Sequence, residues 1–120
     1  MRNEQSLATD ALAAAQEWLE LIDRGDSSGS YERAARLFKS AVSLEQWQGS
    51  LAAAQAPLGK PLSRTLKSSR YAEELPGAPD GDYYVIEYDT AFERKRNGAE
   101  TVVPMLDEDG VWRVSGYFVK

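Results

Sequence analysis

Two residue types are missing altogether from these 120 residues: there is no cysteine and no histidine. Disulfides, thiol nucleophiles, the common zinc sites and every histidine-based triad drop out together. A carboxylate-only metal site stays open in principle, but no calcium-loop spacing occurs, so neither a metal ligand nor a cofactor is assigned. Lack of cysteine does not choose a redox compartment. No apolar run approaches the roughly 18–20 residues that a membrane-spanning helix needs. Met1–Asp10 also lacks the charged-then-apolar build of a secretion signal, which leaves a cytosolic protein or a chain whose signal has been removed. Positive charge is scarce as well. Fourteen Lys and Arg face 19 Asp and Glu, a net charge of −5 that argues against nucleic acid as a partner. Arg94, Lys95 and Arg96 come nearest to a basic cluster, and beside a turn they read as a solvated tip.

What is present is ordinary globular material, 42% hydrophobic and 28% charged, long enough for one domain over residues 1–120 with a single core. Leu7, Ala11, Ala14, Trp18 and Ile22 recur at three- and four-residue steps, which predicts a helix over about 6–24 with Gly25 as its left-handed stop. Ser30 can cap a short helix over 31–39 that turns Tyr31, Ala34, Ala35 and Phe38 inward. "SLEQ" has the form of a capping box, with Ser43 at the N-cap and Gln46 at N3, and predicts a third helix over 44–55. Pro57 ends it.

After "APLGKP" the pattern changes to period two. Strands are expected over about 62–74, 83–96, 99–106 and 111–119, with Asn97-Gly98 as a two-residue hairpin turn. That turn sets Lys95 against Glu100 and Thr90 against Met105. One face then gathers Tyr84, Ile86, Tyr88, Thr90, Phe92, Val103 and Met105, with Trp112 and Val114 following, and Gly116 and Phe118 sharing the helix side. The fold class is α+β: three N-terminal helices packed on a curved four-stranded antiparallel sheet.

"PLG" at Pro57–Gly59, "SR" at Ser63-Arg64, "DGDYYVIEYDTAFERK" and "GVWRVSGYFV" occur in one order, together with the Trp18 helix and "AVSLEQW". In that combination the chain resembles the bacterial DUF4019 family, from about Trp18 to Val119. The resemblance implies an exported protein of the periplasm or cell envelope, since members commonly carry a signal peptide, although composition is compatible with the cytoplasm too. It implies no catalytic residue, because the family has no established activity. The order of elements also resembles the cystatin/NTF2 type of α+β cone, in which a helix crosses the concave side of a bent sheet. Fold alone does not decide function.

Three sets of residues are candidates for a site. Tyr84, Tyr88, Thr90, Trp112, Gly116 and Phe118 would line a small, mostly apolar ligand pocket, or else form ordinary core with satisfied hydroxyls. Gly116 serves either close approach or sheet curvature. Arg64 and Arg70 would clamp an anion, or else guard an edge strand; a bulge between them would let them face differently. Val102, Pro104, Leu106, Val111, Tyr117 and Val119 would make an apolar patch on the outer sheet face, which predicts a sheet-mediated contact such as a homodimer. No carboxylate base is placed beside Tyr88. The reading is therefore a non-catalytic binding or protein-interaction module; the rival is a small-molecule pocket protein of NTF2-like type, with or without weak acid–base activity.

Overall fold

The computed structural model describes residues 4–120, and over them the chain is α+β, four helices followed by four antiparallel strands. α1 (Glu4–Asp23) buries Ala11, Ala15, Trp18, Leu19 and Ile22, the stripe expected from the sequence. It stops in a Schellman arrangement. Gly25 takes φ 72°, its N–H donates to the Ile22 carbonyl, and the Asp26 N–H reaches back to Leu21. No helix among the described residues is long and apolar enough to cross a membrane.

Where one short helix was expected there are two, α2 (Ser27–Glu32) and α3 (Arg36–Ala41). The first begins early because Asp26, not Ser30, is the N-cap, accepting from the Gly29 N–H at 2.9 Å. The break after it has a tertiary cause: the Ala35 N–H leaves the helical pattern to donate to the Val114 carbonyl at 2.8 Å. Ser30 is fully buried and serves instead as a hub. Its carbonyl accepts the Trp18 indole N–H and its hydroxyl accepts that of Trp47, each at 2.9 Å. α4 (Leu44–Gln55) forms its capping box as read, with both Ser43 and Gln46 bonds present.

The sheet is a meander in the order β1 (Pro61–Ala72), β2 (Tyr83–Phe92), β3 (Lys95–Leu106), β4 (Trp112–Val119). Its inner face packs under α1, with Trp18 against Tyr117 at 5.4 Å between ring centroids. The hairpin register differs from expectation. Thr90 lies opposite Gly98 rather than Met105, a displacement of seven residues, and Glu100 pairs with Tyr88 rather than Lys95. The turn alone moves the register by eight and a bulge between Thr90 and Phe92 makes it seven, an odd number, so from Gly98 to Leu106 the β3 side chains change face. Val102, buried completely, lies under the helix, while Val103 and Met105 belong to the other side.

The cause is tertiary. The turn falls at Glu93-Arg94, where the hairpin tip docks on the linker between α4 and β1. The Glu93 N–H donates to the Lys60 carbonyl, the Lys60 N–H donates to the Glu93 carboxylate at 2.7 Å, and the Arg94 N–H donates to the Leu58 carbonyl. Asn97-Gly98 lies within β3 instead. The Phe92 ring covers Gly98, where a Cβ would stand 2.6 Å from ring carbons and 2.8 Å from the Thr90 carbonyl oxygen.

This shift also overturns the outer apolar patch. Val102 belongs to the helix-side core, with Leu106 and Tyr117 packed against it. Pro104 pairs with Val114 and Val119 with Glu100, which puts both on that same inner side. Val111 precedes β4 and is 46% exposed. A bulge at Ser115 in β4 completes the rearrangement: Trp112 and Val114 face inward as expected, but beyond the bulge Tyr117 faces inward and Phe118 outward. Tyr88 and Trp112 therefore share a roof that Phe118 does not.

Candidate functional site

Two places in this fold gather unusual chemistry, one on each side of the sheet. The inner one centres on Arg64. Bulges in β1 put Arg64 opposite Thr90 on the helix side, and they put Arg70 opposite Val85 on the other side. The two arginines share no site. Arg64 Nε donates to Glu100 Oε1 at 2.7 Å, while its two terminal nitrogens donate to the two Asp23 oxygens at 2.9 Å each. Thr90 Oγ1 donates to the same Glu100 oxygen at 2.6 Å, and the Tyr117 hydroxyl donates to Oε2. Glu100 is 1% exposed, and its carboxyl group is surrounded by three donors, as a buried acidic side chain requires. Burial works against the Arg64 charge, but the bonds to Asp23 and Glu100 outweigh it and hold the guanidinium above its ordinary range.

Sequence reasoning missed Glu100 as a member of this cluster because the assumed turn set it against Lys95 on the solvent side. One signal was available: Arg64 shares strand parity with Leu66, so an apolar-inward strand turns it toward the core, where an arginine needs carboxylates. Leu66, opposite Tyr88, does stay on the Arg64 face, although it is 48% exposed.

The proposed aromatic pocket is core. Tyr84, Tyr88 and Trp112 are buried, and Tyr84 sits between Tyr71 and Trp112, 5.5 Å from each ring centroid and steeply inclined to both. Tyr71 donates to Asp82, and Tyr83 donates to the Pro79 carbonyl. Among the described residues the Tyr88 hydroxyl and the Trp112 indole N–H are buried without a partner. Beside Glu100 and Tyr117, between the end of α1 and the sheet, the free space is about 10 Å³, the size of one water. A carboxylate does stand near Tyr88, but Glu100 is fully engaged and no substrate fits beside it. A cleft of about 320 Å³ along the flank of α1 takes in Trp112 but neither Tyr84 nor Tyr88.

The phenols report this environment. Burial first, then the neighbouring Glu100 carboxylate, pushes the Tyr117 phenol well above its usual value. Tyr71 is pushed up to about 12, chiefly by its bond to Asp82, and burial raises Tyr83 and Tyr88. In the unfolded chain phenols ionise near ~10. The folded state thus holds protons that the unfolded state has lost; this stabilisation is complete below about pH 10 and fades as pH rises through the folded values. A phenolate absorbance titration should show these four tyrosines ionising late and together with loss of far-ultraviolet dichroism. Ionisation at the free-phenol value in a protein that stays folded would contradict the placement.

The second place is a groove of about 610 Å³ on the sheet face away from α1. Its walls are α3, through Leu37 and Ala41, and the loop from Leu75 to Ala78 between β1 and β2. Gly116 and Phe118 line it, together with Arg70.

The family described as a protein of unknown function, DUF4019, matches residues 14–117. This chain belongs to the DUF4019 family. No curated relative and no solved structure matches it significantly. Asp23, Arg64, Glu100 and Tyr117 all lie inside the DUF4019 stretch, as do Arg70 and Gly116, while Phe118 lies one residue beyond it.

Proposed function

We propose that this DUF4019 protein is a non-catalytic binding module that engages a protein partner through the sheet face opposite α1. One observation carries the reading: the space where an enzyme of cone-like architecture would hold substrate is filled, whereas the 610 Å³ groove lies on the far side of the sheet. Interaction surfaces need exposed apolar anchors, and Phe118 at 64% exposure is the most exposed of the large apolar side chains among the described residues. One helix laid across a four-stranded meander supports a cystatin/NTF2-like architecture. The family's resemblance to exported proteins supports a location in the bacterial periplasm or envelope.

The rival reading, a small-molecule pocket with acid–base activity, has the unpartnered Tyr88 hydroxyl in its favour. The space of about 10 Å³ beside Glu100 and Tyr117 favours the module, since small-molecule sites run to about 300–1,000 Å³ and bury most of the ligand. A thermal-shift screen with small acids and sugars tests the choice, because a ligand that binds the native state must raise Tm with its concentration. Unchanged melting across the panel is the expected result; a saturable rise with any small acid or sugar would overturn the module reading.

A further inference from the structure

Resting on that module reading, we propose that the groove receives a short peptide segment of another protein, one that sets large apolar side chains on Phe118 and Val103 and a carboxylate on Arg70. Pairing across the sheet lines up Arg70, Val85, Val103 and Gly116 in one row, one residue from each strand. Strands lie about 4.8 Å apart, so this row forms a floor on the order of 14 Å long, with the cation at one end and the exposed ring beside the other. Gly116 adds no side chain of its own, and the Phe118 ring leans toward it, 3.4 Å from where a Cβ would stand.

Charge selects the partner. Arg70 is the one charged side chain among the groove's lining residues. No other described residue offers it a hydrogen bond or ion pair, in contrast to Arg64, which is triply bonded. A free guanidinium in an apolar groove, on a chain of net charge −5, is complementary to an acidic group and discriminates against a basic one. Shape selects the class. The groove is open along its length, whereas a fatty acid or small ligand gains its affinity from near-complete enclosure. A peptide accepts partial burial, with a few anchors supplying most of the energy.

The groove can be altered without touching the core. Phe118 is 64% exposed, and Arg70 is exposed on the edge strand. Gly116 has no positive φ, and a Cβ there would meet Phe118 at 3.4 Å and Val103 at 3.8 Å, ordinary contact. Gly116→Val would therefore keep the fold and fill the floor.

The test is selection of random linear peptides displayed on phage against the intact protein, followed by anisotropy titration of the enriched peptides as fluorescent conjugates. Enriched sequences should combine Leu, Ile or Phe with Asp or Glu. Phe118→Ser, Gly116→Val and Arg70→Glu should each weaken binding by about tenfold or more, with melting temperatures near that of the parent. Arg70→Glu should in addition favour the same peptide with Lys in place of its acidic residue. Peptides that bind all three variants equally would place the site elsewhere, overturning the groove while leaving the module reading intact. Failure of every peptide beside saturable binding of sodium dodecanoate that Gly116→Val abolishes would make this a lipid site and overturn the inference. Failure beside a dimer in light scattering that Phe118→Ser converts to monomer would assign the groove to a second copy, with the same consequence. A small acid or sugar that stabilises the parent and Gly116→Val alike would instead defeat the module reading itself.

Discussion

Arg64→Met should cost about 3–5 kcal/mol of folding stability, because it strands the Glu100 carboxylate in the core without its cation. Glu100 is 1% exposed and Asp23 stands on the other side of the guanidinium, so the substitution leaves two carboxylates with no positive charge between them. Methionine matches the bulk of the arginine stem, which confines the loss mainly to electrostatics. Urea denaturation would show it as a lower midpoint with an unchanged slope. Adding Glu100→Gln to Arg64→Met should recover part of the loss: the amide keeps an acceptor for Thr90 and Tyr117 and carries no charge. A cost below about 1 kcal/mol would mean that the pair behaves like a surface ion pair. The idea of a buried clamp tying the end of α1 to the sheet would then fail.

Gly98→Ala is the second large effect, about 1–3 kcal/mol, from overpacking rather than from backbone strain. The added methyl would stand 2.6 Å from the Phe92 ring and 2.8 Å from the Thr90 carbonyl oxygen. The ring could rotate away. The carbonyl belongs to the β2–β3 ladder and could not. At about 4 °C per kcal/mol for a domain of this size, the loss is readily seen in a thermal melt. Phe92→Leu in the same background should restore part of it by relieving the ring contact. An Asn97-Gly98 hairpin turn would require the opposite pattern, with Phe92 indifferent and a left-handed glycine at position 98. Melting of Gly98→Ala at the parent temperature would contradict the observed packing.

These two residues also show what the chain reveals unaided. The positions of α1 and α4, the Ser43–Gln46 box, the Gly25 stop and the existence of four strands follow from local periodicity and capping, which depend only on neighbours a few residues away, whereas the split into α2 and α3 does not. The inward placement of Tyr84, Ile86, Tyr88 and Thr90 follows from the same alternation. Register does not, because two competing turns lie four residues apart, and the dipeptide with the better local propensity lost.

Contacts from the Lys60 region to Glu93 and Arg94 chose the turn, and no local rule contains them. The turn moved by four residues, an even shift of eight in register, and the bulge between Thr90 and Phe92 made it seven, so Glu100 went into the core and Val103 passed to the opposite face. The predicted outer patch turned inward with Val102. The Ser115 bulge then separated Tyr117 from Phe118, and the bulges in β1 separated Arg64 from Arg70. Sequence by itself determined the two long helices, the existence of four strands and which side chains alternate. Tertiary structure alone decided which face of β3 is buried and where the open groove lies, because alternation defines two faces without naming the inner one.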